Sequence, residues 1–290
     1  MNKPIMKRSI ILISTCAFVL ATRASAQTTI TAWNFENDPI AVNNNPAPST
    51  GLGTADSIGM DIYPTPNVGV TTDDVLLGKS SDTGNNGVAN VTQTWRVRAQ
   101  AGSNGAANGW SSQAPLGTQG VQFFVDTTGY NSINVSFDWY ATTQGEGNLE
   151  MEYTTDGGLI WHNVALTLSG SDAGLQVLSN GGSDPNTVTG SYVSDNLKDS
   201  SLAGQDWFTG LTATITDPLA ANNPNFGVEM VNASTGADDI STQGTALNNS
   251  SGNWRFDNVV ISGTPAVVPK PCSLACLAIG FAALVTLRRR

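Results

Sequence analysis

Glu150 and Glu152 are the residues whose type and spacing come nearest to catalysis. They stand two apart in the alternating stretch NLEMEYT, so both carboxylates project from one strand face, roughly 7 Å apart. That separation suits an inverting glycosidase and lies slightly beyond the retaining range. The same pattern is also what a solvated acidic face gives, and that is the default expectation. His162, in LIWHNVA, is the sole histidine. A Ser-His-Asp mechanism would have to form around it, no GxSxG occurs, and a histidine-rich zinc site is excluded by counting. In VTQTWRVRA, Arg96 and Arg98 share a strand face, where structural salt bridges are expected.

These side chains need strands to position them. No segment between the two ends carries a sustained 3.6-residue apolar repeat, and alternation dominates. In SINVSFDWYA, Ile133, Val135, Phe137 and Trp139 share one face; in NLEMEYT, Leu149, Met151 and Tyr153 do; in NFGVEMV, Phe226, Val228 and Met230 do. TTITAWNF, VTQTWRVRA, GVQFFVDT, GLTATITD and NWRFDNVVISG read as further strands. Between them lie turn-forming clusters such as NDPIAVNNNPAPSTG, SSDTGNNG and SNGGSDPNTVTG. Many short strands with such turns predict an all-β fold, a single antiparallel jelly-roll-like β-sandwich over 27–264. Five tryptophans, Trp33, Trp95, Trp139, Trp161 and Trp254, fall in strand patterns and are expected in the core. Trp110, inside AGSNGAANGWSSQ without apolar neighbours, is the one expected to touch a glycan; the alternative is that it folds inward and pins its loop.

Charge is segregated along the chain. Only Lys79, Arg96, Arg98, Lys198 and Arg255 lie between the basic ends, against all 23 acidic residues, so that region carries −18 where the whole chain carries −10. Such a surface repels phosphate backbones and anionic lipid headgroups, which argues against nucleic-acid binding. Cys16, Cys272 and Cys276 all lie in the ends, so no disulfide framework staples the middle.

The ends read as sorting signals. Lys3, Lys7 and Arg8 precede an apolar stretch, Ile10 to Ala21, and Ala24-Ser25-Ala26 supplies small residues at a cleavage site. Residues 1–26 are therefore expected to form a signal helix cut between Ala26 and Gln27; a retained anchor is the alternative. At the other end, a Pro-containing linker and motif, 265–271, leads into an apolar segment with a basic end, 272–290. Counted from Cys272 to Leu287 a helix there covers about 24 Å, short of the ~30 Å hydrocarbon core. Arg288, Arg289 and Arg290 hold its end on the cytoplasmic side.

Val268, Pro269, Pro271, Ser273, Leu274, the Gly280 helix and the Arg288–Arg290 plug together resemble the PEP-CTERM sorting signal of exopolysaccharide-producing Gram-negative bacteria. The family has glutamate between the prolines, and this chain has Lys270. The resemblance implies an exosortase-like partner that removes the tail, transient anchorage in the inner membrane by the C-terminal helix, and release to the cell surface or matrix; an ordinary single-pass anchor is the alternative. The order WNFEN, NGWSSQAP, SFDWYATTQGEGNLEMEYTTDGG, NNPNFGVEMVNAS and NWRFDNVVISGT further resembles the lectin-like or carbohydrate-binding-like sandwich of many PEP-CTERM proteins. In carbohydrate-binding jelly rolls a structural calcium commonly ties the first strand to the last. The matching residues are Glu36, Asp38 and Asp257, with plain hydrogen bonding at strand termini as the alternative. Tyr153 to Trp161 resembles a single Asp-box turn of sialidase-like propellers, with Asp156 at its centre; the structural reading is a tight hairpin with Gly157 and Gly158 at positive φ.

The sequence thus predicts an exported surface or matrix protein, structural or glycan-binding and without catalysis, whose partner is extracellular polysaccharide. The rivals are a glycosidase-like enzyme using Glu150 and Glu152, and a calcium-dependent adhesin.

Overall fold

The computed structural model describes residues 26–41, 43–59, 74–77, 92–98, 110–142, 144–168, 176–180, 190–194, 207–239, 241–242, 247–249 and 252–266. The expected signal helix up to residue 25 and the sorting helix lie outside these residues. So do Val268, Pro269, Lys270, Pro271 and Arg288 to Arg290. Among the described residues no helix is long and apolar enough to cross a membrane.

Period-2 sequences become strands with one dry face. In β7 (Tyr130–Ala141), Ile133, Val135, Phe137 and Trp139 turn inward and are at most 1% exposed. One sheet has the order β12 (Trp207–Thr214), β7, β15 (Trp254–Pro265), β4 (Gln93–Val97), β3 (Asp74–Leu77), with β1 (Thr28–Trp33) also on β15. The second runs β10 (Gln176–Asn180), β11 (Gly190–Ser194), β8 (Asn148–Thr154), β13 (Phe226–Asn232), β6 (Gly120–Val125), β2 (Thr54–Ile58), with β9 (His162–Val164) on β8. β5 (Trp110–Ser111) and β14 (Asn248–Asn249) form a short ribbon. All of these pairings are antiparallel. The chain shuttles between sheets, from β6 to β7 to β8 and again from β12 to β13 to β15, so sequence neighbours seldom pair. The fold is the expected antiparallel jelly-roll-like sandwich.

The two inner faces meet through aromatic rings. Trp33 on β1 meets Phe123 on β6 edge-on at 4.9 Å, and Trp95 on β4 meets the same ring at 6.0 Å and 81°. Such pairs each add ~0.5–1.5 kcal/mol beyond the area they bury. At the start of the sandwich, the Gln27 amide donates to the Ser132 carbonyl at 2.8 Å and its oxygen accepts from the Ser262 hydroxyl at 2.9 Å. A residue that would become the N-terminus after cleavage behind Ala26 is therefore tied to the sheet.

Candidate functional site

The outward face of the second sheet carries a row of polar side chains set by strand register. Glu229 on β13 stands opposite Glu152 on β8 and Gln122 on β6; Glu152 in turn faces Asn163 on β9, and Asp56 on β2 faces Gln122. Glu150 lies one pleat along, opposite Val231. These positions alternate with Leu149, Met151, Val228 and Met230, which fill the core. Leu116, Gly117, Glu150, Glu152, Trp161, Asn163 and Glu229 line one cleft of about 480 Å³.

A loop roofs this face, and Asn232 at the end of β13 holds it. Its side-chain oxygen accepts from the amides of Thr118 and Gln119, each at 2.9 Å, and its side-chain nitrogen donates to Pro115 and Ser234 carbonyls. The Gly117 amide donates to the Asn232 carbonyl at 3.0 Å. Gly117 has φ +70°, and a Cβ there would stand 3.5 Å from a Glu152 carboxylate oxygen. The roof reaches the carboxylates through a left-handed backbone at residue 117, which glycine adopts without strain.

Burial under this roof changes the chemistry of the floor. Glu150 is 1% exposed and Glu229 is 2% exposed. Desolvation, then the charge of Glu152, pushes Glu150 up to about 9 despite a 2.6 Å hydrogen bond from the Asn163 amide. Desolvation, then hydrogen bonding to Glu152 and its charge, pushes Glu229 up to about 9 as well. Both carboxyls hold their protons at neutral pH, so each donates as well as accepts. The expectation of a solvated acidic face is thereby corrected: Glu150 and Glu152 do share the outward side, but the loop at 112–119 covers Glu150.

Trp161 borders the cleft and is partly exposed. The hairpin before it explains its position. The Asp156 carboxylate accepts the amides of Leu159 and Ile160 at 3.0 Å and the Thr154 hydroxyl at 2.7 Å. Gly157 and Gly158 take φ of +78° and +91°, as the tight-hairpin reading requires. The indole lies 6.0 Å from the Phe124 ring, which itself crosses Gly227, where a Cβ would strike it at 2.6 Å.

Trp161 and Trp110 differ from expectation in their burial. Trp110 is 1% exposed and packs on Trp254 at 4.4 Å, leaving no free face for a sugar. Its local sequence is polar, but β15 brings an indole to it from far along the chain. Trp161, expected in the core, follows the hairpin and stays at the cleft edge. Sequence reasoning also missed Glu229 and Asn163. Glu229 carried a signal, as the one charged residue at an outward position of NFGVEMV.

The remaining candidates lie elsewhere. Glu36 accepts the Gln93 amide at 2.7 Å. Asp38 accepts from the Asn43 amide and the Ala47 backbone, and burial raises it above the usual carboxylate range. Asp257 is buried and accepts the Asn258 amide at 2.8 Å. Among the described residues no three His, Cys, Asp or Glu side chains gather as a metal site, so these three are not brought together as a carboxylate cage. His162 is exposed and lies over the Tyr153 ring at 5.3 Å. Arg96 stands opposite Asp74 on β3 and Arg255 on β15.

The fold and site define an antiparallel β-sandwich with a roofed carboxyl cleft on one sheet. No protein-family model and no curated protein matches the chain. Two solved structures match the chain at low similarity. One is the N-terminal endo-1,4-β-D-xylanase 10B of Clostridium thermocellum, its CBM22-1–GH10 modules complexed with xylohexaose (10% identity, 83% of this chain and 30% of that one, TM-score 0.35). The other is the CBM22-1 xylan-binding domain of Paenibacillus barcinonensis Xyn10C (12% identity, 84% of this chain and 99% of that one, TM-score 0.34).

Proposed function

We propose that this chain is an exported glycan-binding protein without catalysis, whose site is the carboxyl cleft of the seven-stranded sheet. The observation that carries this reading is a partly exposed Trp161 at the edge of a cleft lined by Glu150, Glu152, Asn163 and Glu229. An indole offers a flat apolar platform for the C–H face of a sugar ring. A protonated carboxyl donates one hydrogen bond and accepts others, which matches the paired donor and acceptor character of sugar hydroxyls. The cleft volume of about 480 Å³ falls within the ~300–1,000 Å³ range of small-ligand clefts. Extracellular polysaccharide is the ligand class. The cleavage site at Ala26 and Gln27 and the PEP-CTERM-like tail support this address, with an exosortase-like enzyme acting on Val268 to Pro271 and the Arg288–Arg290 end anchored beforehand.

Calorimetric titration of the purified full-length chain with neutral and acidic polysaccharides tests the reading. Binding to at least one, lost in Trp161→Ala and retained in Trp110→Phe, supports it; binding that ignores Trp161 overturns it. Glycoside hydrolysis is the second reading, favoured by the convergence of Glu150, Glu152 and Glu229 in one cleft. Against it, two of the three carboxyls are held near 9, far from the near-neutral value that suits a general acid. Release of reducing ends from a bound polysaccharide, abolished by Glu152→Gln, would establish that reading instead.

A further inference from the structure

The chain enters and leaves the sandwich at one pole. Thr28 pairs with Gly263 near the end of β15, and the Gln27 side chain reaches Ser132 and Ser262. At the outgoing end, the Ala266 amide donates to the Gly129 carbonyl at 2.8 Å. From there hydrogen bonds run across the pole. The Gly129 amide donates to the Asn222 side chain at 3.0 Å, and the Asn223 side chain donates to the Leu219 and Thr155 carbonyls at 2.7 and 2.8 Å. The loop at 217–223 and the hairpin at 155–160 are thereby fastened together beside the exit. Leu159, Ile160 and Leu219 stand on them, 84%, 58% and 66% exposed. Leu52, 86% exposed, precedes the end of β2 that pairs with Phe124, and so faces the same pole. Of the large apolar side chains exposed among the described residues, only Ile40 lies elsewhere, beyond the far end of β1.

We propose that this pole rests on the bilayer while the C-terminal segment holds the chain there, with Leu159, Ile160, Leu219 and Leu52 seated among the headgroups and upper acyl chains. The inference rests on the membrane-anchoring part of the proposed function. Reach decides which surface meets the lipid. Six residue steps lead from Ala266 to Cys272, where the apolar run begins, and fully extended they cover at most about 22 Å. β7 and β15 each have 12 residues, so the sandwich stands about 40 Å tall along its strands. A tether shorter than the sandwich keeps the exit pole against the membrane and the opposite pole away from it. Exposed apolar side chains gathered at one place mark a contact surface, and the lipid interface takes such side chains in proportion to the apolar area they bury.

The charge of the pole fixes the kind of lipid. Asp126, Asp156 and Asp217 stand in the same loops, where their carboxylates accept the turn amides of Thr128, of Leu159 and Ile160, and of Leu219. No lysine or arginine occurs within 126–130, 154–161 or 215–225. These loops repel anionic headgroups, so the contact is an apolar one with a zwitterionic surface and responds little to salt. The strands run toward the pole, so both sheets stand upright on the bilayer. The glycan cleft then opens sideways along the membrane, with its Trp161 edge lowest.

Trp161 supplies the reporter, because it directly follows Ile160 and is partly exposed. The full-length chain is reconstituted into phosphatidylcholine vesicles whose acyl chains are either plain or brominated near the headgroups. Vesicles are recovered by flotation and tryptophan emission is compared between the two lipids. The expected result is a chain that floats with the vesicles and loses, in brominated lipid, the part of its emission that Trp161→Phe removes. The double variant Leu159→Ser/Leu219→Ser changes only exposed side chains, so it should keep the wild-type Tm and still float, but escape the quenching. Flotation without quenching of the wild-type chain overturns the proposal and leaves anchorage intact. Absence of flotation overturns the anchorage and the proposal with it. Quenching that the double variant does not reduce places the lipid contact elsewhere and overturns the proposal too. So does self-association of the wild-type chain in detergent that the double variant abolishes, because the patch then joins two copies. Glycan titration of both proteins runs separately and is expected to agree between them, so a failure of the glycan reading is seen apart from a failure of the docking.

Discussion

Raising the pH from about 5 to about 8 should weaken this fold, and Glu150 and Glu229 are the reason. Each is displaced from 4.5 to about 9, first of all by burial. The unfolded chain gives up these protons near 4.5, while the folded chain keeps them until about 9. Between those limits the folded state binds more protons, so stability falls as pH rises. The contribution is complete below the unfolded value and is lost as pH climbs through the folded one. One such group gives a slope of ~1.4 kcal/mol per pH unit. Glu150 and Glu229 share Glu152 as a neighbour and do not titrate independently, so the safe magnitude is that of one group. Over two pH units this is ~3 kcal/mol, or about 6–12 °C of Tm for a domain of this size. Asp126 and Asp156 are lowered by hydrogen bonds in their turns and act only at more acidic pH. Glu146 and Asp239 are raised by burial and add to the same sign. Calorimetric melts of the full-length chain at constant ionic strength measure the slope. Glu229→Gln keeps the shape and removes the titration, so its profile should be flatter and its alkaline Tm higher than wild type. A wild-type Tm that is constant or rises across this range would refute the burial of charge-sensitive carboxyls under the roof.

Other substitutions separate binding from folding. Trp161→Ala should weaken glycan binding about tenfold or more in titration calorimetry while shifting Tm little, since the indole sits at the cleft edge. Gly117→Val puts a branched side chain beside the Glu152 carboxylate at a φ of +70°, and should abolish binding in the same assay. Trp110→Ala should cost ~3–5 kcal/mol in urea melts, because it empties the space against Trp254. In a PEP-CTERM-sorting host, Lys270→Glu should increase the fraction of chain released without its tail, read by mass spectrometry of the C-terminus.

How much of this was legible in the sequence depends on how far each partner lies along the chain. Alternation located β7, β8 and β13 and sorted their faces correctly, because the inward or outward sense of a strand residue is set by its immediate neighbours. The Asp156 hairpin was equally local, its donors and acceptors all falling within 154–160. Register between strands is not local. Nothing in NFGVEMV states that Glu229 stands across from Glu152, and so the third carboxyl of the cleft had no sequence signature beyond its charge. The roof is less local still. Asn232 binds residues more than a hundred positions earlier, and it is this tether that turns an acidic strand face into a desolvated cleft. The two tryptophans differ from expectation in their burial for the same reason. Trp110 has polar neighbours in sequence and aromatic ones in space, whereas Trp161 has apolar neighbours in sequence and a turn that carries it to the rim. Burial is a property of what arrives from elsewhere, and in this sandwich the raised pKa values of Glu150 and Glu229 follow first from a burial that the sequence around each does not announce.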